Sequence, residues 1–397
     1  IVFGDWSSDV CSSDLNSKPK YVNKMFAEIH ILQNFSPSCL NRDESNSPKD
    51  CFFGDTRRAR ISSQCLKHSM RAQVFPKLLG QENLGNRTLN LAGLLKEKFK
   101  DMKKDPTESE LVAKNFIQEI LKLKISDDGA TKVLLFLGAG EITKFADICN
   151  TNWDLLKQNK IDKKDKTLKE MEKKAIDAFN GQKAVDIALF GRMIAEIAGN
   201  NIDAASQVAH AFSTNKMNLE FDFYTALDEA KMDKTPGAGM MGTIEFNSAC
   251  YYRYANIDIT QLVNNLQGDK DLAKKAVIAF IKASVEAIPT GKQNSMAAQN
   301  PPSLVYVVLR ESKLWSLANA FEKPITTDLQ DGLSLTEQSI LALDDYWGKL
   351  INLYGGDDVQ TQALIADEKG LKNLKGFKKD SFSVLLTEIE KNITFKK

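Results

Sequence analysis

Histidine is scarce, with His30, His68 and His210 the only three in 397 residues. The six cysteines, at positions 11, 39, 51, 65, 149 and 250, are scattered and form no CxxC pair. Zinc-site spacing is therefore missing, and free thiols in a reducing compartment are expected. Net charge is nearly absent too, with 53 Lys and Arg against 52 Asp and Glu and a formal total of +1. A polyanion would have to be held by a local basic patch, because the chain as a whole exerts little field. No apolar run reaches the roughly 18 residues that cross a bilayer, and no basic segment leads into a hydrophobic one near the start. A cytoplasmic protein without membrane contact is expected.

What is present is a large folded chain, 43% hydrophobic and 26% charged, long enough for two or three domain-sized units. Residues 1–24 include the imperfect repeat SSDVCSSDL and read as a non-native leader or disordered tail, with Met25 opening the first strand. MFAEIHILQNF alternates around Ala27, Ile29 and Ile31 as a half-buried strand does. A long basic loop follows, and then a helix, capped by Ser62 or Ser63, that puts Leu66, Met70 and Val74 on one face. Residues 76–180 change to helical periodicity and read as an inserted subdomain. AVDIALFGRM (184–193) is strand-compatible, and DAASQVAHAFST is read as a short helix. NLEFDFYTAL and GTIEFNSACYYRYANIDI, joined by a Gly-rich connection, predict a long hairpin. The helix DLAKKAVIAFIKASVEAI, the strand SLVYVVLR and a helical C-terminal region complete an α+β pattern.

The letters of GAGMMG (237–242) match GxGxxG, but a dinucleotide fingerprint needs a strand before it and a helix after it. A β-rich run follows instead, so the glycines read as a hairpin tip. PTGKQ around Lys292 lacks the upstream Gly and the following Ser or Thr of a phosphate loop. No motif ties the histidines to a nucleophile, and Cys65 with His68 stands alone on its helix face. No catalytic residue, metal or cofactor is therefore expected. The run from Lys157 to Lys174 is read as a helix carrying eight Lys against four acids. It is either a solvated face with i,i+4 pairs or an electrostatic contact with duplex DNA through Lys160, Lys163, Lys164 and Lys166.

The stretch from Asn41 to Arg71 differs in kind. Arg42, Lys49, Arg57, Arg58, Arg60, Lys67 and Arg71 crowd a loop and the first turns of the helix beyond it, and Ser62, Ser63 and Gln64 add neutral donors at the helix start. Arginine suits bidentate phosphate contacts, and free amides at a helix start favour anions. This is the pattern of a sugar-phosphate cradle.

The run from Ile29 to Arg71, IHILQNFSPSCLNRDESNSPKDCFFGDTRRARISSQCLKHSMR, resembles the N-terminal signature of the CasC family. That family is the repeated backbone subunit of the type I-E CRISPR Cascade surveillance complex. VDIALFGRM, FYTALDE, GTIEFNSACYYRYANI, GKQNSMAAQNP and LANAFEKPI echo it later, so the similarity runs from about Met25 to Trp347. The resemblance implies a modified RRM-like (ferredoxin-like) palm with helical fingers and a β-hairpin thumb. In those terms residues 25–75, 181–207 and 251–350 are palm, 76–180 fingers, 208–250 thumb, and 351–397 a C-terminal helical region. It also implies an RNA-binding protein without enzymatic activity, several copies of which line up on one CRISPR RNA beside other Cascade subunits. Each thumb would kink the guide, and the remaining bases would pair with target DNA in antiviral defence.

Carried over by position, Arg42, Lys49, Ser62, Gln64 and Lys67 correspond to guide-backbone contacts, and Arg57 and Arg58 fit the same basic loop. Met193 corresponds to a residue beside the kink, and Tyr224 and Thr225 to positions that wedge between bases. Two departures stand out: His68 replaces an expected basic residue after Lys67, and KTPGAGMMG is longer than a simple connection needs. The competing expectation is a metal-dependent ribonuclease like the backbone subunits of type III complexes. Asp43, Glu44 and Asp222 would be its candidate Mg²⁺ ligands.

Overall fold

Period-2 alternation makes Phe26–Ser38 (β1) a strand, and near-continuous burial makes it a central one, covered on both faces. The computed structural model describes residues 24–127, 129–162, 165–181, 183–194, 201–227, 238–326, 332–367 and 369–395. The long basic loop expected after β1 contains a hairpin of Asp50–Phe53 (β2) and Thr56–Ile61 (β3). Its two turn residues, Gly54 and Asp55, have φ of 57° and 56°, the two positive values a type I′ turn demands. Ser63–Ser69 (α1) begins at Ser62, whose Oγ accepts from the Cys65 amide as expected of a cap. A π-helical stretch, Met70–Val74, carries the chain into Phe75–Leu79 (α2).

The inserted region builds its own core. Gly85–Thr88 (β4) pairs with Leu135–Gly138 (β5), and around them lie the helices Leu91–Asp101 (α3), Pro106–Asn115 (α4), Ala139–Thr151 (α5), Trp153–Leu156 (α6) and Lys166–Ala178 (α7). Their apolar faces close on Leu95, Phe99, Phe116, Phe145 and Phe179. The lysine-rich helix is shorter than its composition suggested. Asp165 caps α7, so Lys157 and Lys160 precede the helix, while Lys163 and Lys164 lie outside the described residues.

Two short segments reverse their expected type. Val185–Phe190 (α8) is helical and ends at Gly191, φ 77°, whereas Ser206–Val208 (β6) and Ala211–Ser213 (β7) are strands. Short apolar runs carry too few periods to distinguish the two, and β6 and β7 are fixed by pairing with a distant strand. That partner is Ala238–Asp258 (β9), 21 residues long. Its first part pairs with Glu220–Leu227 (β8) as the expected hairpin, and the rest runs into the main sheet beside β1.

Ile259–Asn265 (α9), Lys270–Glu286 (α10) and Gln293–Met296 (α11) lead to Leu304–Arg310 (β10), the other neighbour of β1. The segment after residue 350 is not purely helical. Leu335–Tyr354 (α12) is followed by Val359–Ala366 (β11), which joins the sheet edge, before Phe382–Asn392 (α13).

Among the described residues the sheet order is β11-β10-β1-β9-β7-β3-β2, and β1 is antiparallel to both its neighbours. Following β1, α1, β6 with β7, β9, α10 and β10 gives the connectivity of a split βαββαβ unit with β1 at its centre. The α+β class expected from the sequence is therefore the class observed. One sheet face packs Ile29, Ile31, Ile257 and Val307 against Phe280 of α10 and Leu385 of α13. The other packs Leu32, Tyr252, Tyr306 and Leu364 under Leu343 and Trp347 of α12. With both faces covered, this sheet is open to a ligand, among the described residues, at its rim, its loops and its hairpin.

Candidate nucleic-acid interface

The basic segment starts where the hairpin leaves the sheet, since Ser38 at the end of β1 pairs with Asn247 of β9. Asp43 then folds the turn by accepting from the Ser45 amide at 2.8 Å and the Ser47 amide at 3.0 Å through one carboxylate oxygen. Arg42 is exposed, with Nη1 donating to Asn46 Oδ1 at 3.2 Å. Asn41 is the joint. Its carbonyl accepts from the Lys49 amide and its Oδ1 from the Ser62 amide, each at 2.8 Å. Arg42, Lys49 and the start of α1 are thereby held together, although twenty residues separate the first from the last. Arg42, Asp43, Glu44, Ser45, Lys49, Asp50 and Arg60 line one open depression of about 590 Å³.

Along α1, Gln64 is exposed and Lys67 half-buried, with its Nζ 5.9 Å from the Phe190 ring centre. Met193, three residues beyond Phe190, is 65% exposed. The FGRM segment thus has its first residue, Phe190, beside Lys67 of α1 and its last, Met193, exposed. Arg192 has a different job. Buried with Glu141 at 2.8 Å, it also donates to the Phe136 and Phe179 carbonyls and fastens this segment to the inserted helices.

The arginines of β3 divide by their partners. Arg57 is exposed and pairs with Asp50. Arg58 points inward, fully buried, and its guanidinium donates to the Ser213, Thr214, Phe321 and Glu322 carbonyls at 2.8–3.1 Å. Both terminal nitrogens are taken by carbonyls and the unpartnered Nε is buried out of a ligand's reach, so its assignment as an RNA contact is withdrawn. Arg60, passed over in that assignment, lines the depression; its Nε donates to the Asp50 carbonyl at 2.9 Å and its Nη1 lies 3.2 Å from His210 Nδ1. The Ser63 amide donates to the same nitrogen at 3.3 Å, so His210, between two strands, braces the start of α1.

On the hairpin, Tyr224 lies opposite Gly242. A Cβ at 242 would come within 2.5 Å of the Tyr224 hydroxyl, so this glycine clears space for the ring. From Ala238 the GAGMMG segment is strand with no helix behind it, and Gly237 lies outside the described residues. The helix that a dinucleotide site needs is lacking. Tyr224 is 37% exposed, and Thr225 sits on the opposite hairpin face with exposed Phe221, Phe223 and Met241.

Among the described residues no three His, Cys, Asp or Glu side chains group as metal ligands, and Asp43 is engaged in its own turn. Cys39, Cys51, Cys65, Cys149 and Cys250 are free thiols, and burial pushes Cys65 up to about 11, which keeps it protonated near neutrality. Lys160 and Lys166 are exposed. No described helix is long and apolar enough to cross a membrane.

Solved structures share this architecture. A chain described as "CRISPR RNA-guided surveillance complex, pre-nicking" is 29% identical, with a TM-score of 0.81 over 92% of this chain and 99% of its own. A second, "CRISPR RNA-guided surveillance complex", has a TM-score of 0.69 over 93% and 100% of the two chains; at 23% identity it speaks for the fold alone. The fold is that of a Cascade-backbone type of protein. The model of the CT1975-like protein family matches residues 27–390, and the chain belongs to that family. The resemblance first seen in residues 29–71 is thereby borne out. No curated protein matches the chain.

Proposed function

We propose that this chain is the guide-binding backbone subunit of a type I-E Cascade-like surveillance complex. Several copies line up along one CRISPR RNA beside other Cascade subunits, and the exposed bases pair with target DNA in antiviral defence. The observation that carries this reading is the Asn41 joint, which ties the start of α1 to the turn whose Arg42 and Lys49 line one open depression. Phosphates of a single strand lie against Arg42, Lys49, Gln64 and Lys67, with Ser62 capping the helix beneath them. Arg57 adds a screened contact at the edge, because Asp50 already holds it.

Tyr224 and Thr225 stand at the free part of the hairpin, about 13 Å along the strand from its base at Glu220. An aromatic side chain there interrupts base stacking whatever the sequence, and the guide kinks between it and Met193. The split βαββαβ connectivity supports an RRM-like palm, although with both sheet faces covered its aromatics serve the core. Lys160 and Lys166 offer duplex DNA a sequence-tolerant contact. The subunit works by binding, without enzymatic activity; Asp43, one of the three candidate acids of the ribonuclease alternative, is occupied by its own turn.

Co-expression with CRISPR RNAs of graded spacer length tests the assignment. Complex mass should rise in steps of one subunit as the spacer lengthens. A small mass that ignores spacer length would refute it.

A further inference from the structure

The segment GKQNSMAAQNP (291–301) belongs to none of the contacts assigned above, yet it is bolted to the chain that leads into Arg42. A Cβ on Gly291 would lie 2.4 Å from the Leu40 carbonyl oxygen and 2.6 Å from that of Cys39, so only glycine permits the approach. Asn300 anchors the far end. Its Oδ1 accepts from the Ser36 amide and hydroxyl at 3.2 and 3.1 Å, and its carbonyl accepts from Gln33 Nε2 at 2.7 Å. Within the loop Gln293 Nε2 donates to the Pro289 and Ala298 carbonyls, both at 3.1 Å.

Between these anchors Lys292 is held at φ 52°, a left-handed conformation that costs a residue with a side chain energy and persists only where its surroundings enforce it. Gly291 sits against the Cys39 and Leu40 carbonyls, so Lys292 stands beside the chain that runs straight into Arg42 at the depression; burial raises the Cys39 thiol, and Arg42 and Lys292 both act against that rise. Two of the acids nearby are already engaged, Asp50 by Arg57 and Asp43 by backbone amides.

We propose that Lys292 is a further phosphate-binding residue of the groove, so that a single-stranded phosphodiester backbone is gripped from two chain segments, the Arg42–Lys49 turn and the 291–301 loop. The inference rests on the RNA-binding reading above and adds the second segment. It fits a rigid anchor better than a passing surface lysine, because both ends of the loop are fixed to β1 and the turn after it.

The test uses the full chain and a labelled uridine oligoribonucleotide, with affinity followed by anisotropy over a salt series. Lys292→Asn suits the left-handed backbone and removes the charge, and Lys292→Arg restores it. The Asn variant should weaken binding and reduce the slope of log affinity against log salt by about 0.7, one phosphate contact on a single strand. The Arg variant should keep the parental slope, and both should keep the parental melting temperature. A parental slope for Lys292→Asn, alongside a reduced slope for Arg42→Ala, would overturn the inference and leave the groove standing. Unchanged slopes in both would overturn the RNA-binding reading as well. Equal losses in the Asn and Arg variants would show that loop shape and not charge matters, which also rejects the proposal.

Discussion

Arg57 and Arg58 are neighbours on one strand, yet one belongs to the rim and the other to the interior. Arg57 is exposed and pairs with Asp50, which lines the depression with Arg42 and Arg60, where cations can meet a ligand. Arg58 joins Arg192 and Arg310 among arginines that hold the protein together from inside. A charge count over the segment cannot separate these groups; the partners across the fold do. The interior set should govern stability with little direct effect on binding, and the rim set the reverse.

The largest expected effect lies at Arg310, which donates to Glu28 at 2.9 Å and to both oxygens of Asp358 at 3.1 Å. Burial is the main influence raising the Glu28 carboxyl above its ordinary value, and Arg310 opposes it. Arg310→Met leaves that buried acid uncompensated and should lower unfolding free energy by about 3–5 kcal/mol in urea titrations. Loss of less than a third of this would remove the pair from the structural set.

His30 sharpens the same side of the comparison. Its Nδ1 lies 2.9 Å from the Tyr252 hydroxyl, which accepts from the Leu317 amide, and its Nε2 is buried without a partner. Burial, with the Arg310 charge beside it, depresses the imidazole to about 3. Between about 6.5 and 3 the unfolded chain binds a proton that the native state refuses, so stability is full above pH 6.5 and falls as pH drops through this window. The loss should approach about 1.4 kcal/mol per pH unit below the unfolded pKa. Melts between pH 5 and 7 should show the dependence in the parent and a flatter one in His30→Phe; identical curves would contradict the assignment.

Arg58→Met strands buried carbonyls and should cost about 1–3 kcal/mol, while Arg57→Ala should stay within about 0.5 kcal/mol. Matching effects from the two would erase the distinction between rim and interior. On the binding side, Tyr224→Ala should weaken RNA affinity by about 1–3 kcal/mol, the worth of one stacked base, with the melting temperature unchanged. An affinity equal to the parent's would take the hairpin out of the interface.

The parts legible in the sequence were those with local causes. The β1 alternation, the Ser62 cap and the long hairpin each follow from neighbours a few residues away. The β2–β3 hairpin was hidden by its arginines, which make a strand look like a charged loop; the pair Gly54-Asp55 between DCFF and TRRARI was the available signal. The strands β6, β7 and β11 depend on partners far along the chain, so their own composition misleads. The site was legible as a set of residue types but not as an arrangement. Nothing local reveals that Arg58 reaches carbonyls at Phe321 and Glu322, or that Asn41 joins Lys49 to Ser62.

The central claim is that the turn after β1 grips a single-stranded phosphate backbone. The salt dependence of RNA binding by the Arg42→Ala, Lys49→Ala double variant tests it most directly. With two contacts removed, the slope of log affinity against log salt should fall by about 1.4 while thermal stability stays at the parental value. A slope equal to the parent's would contradict the account.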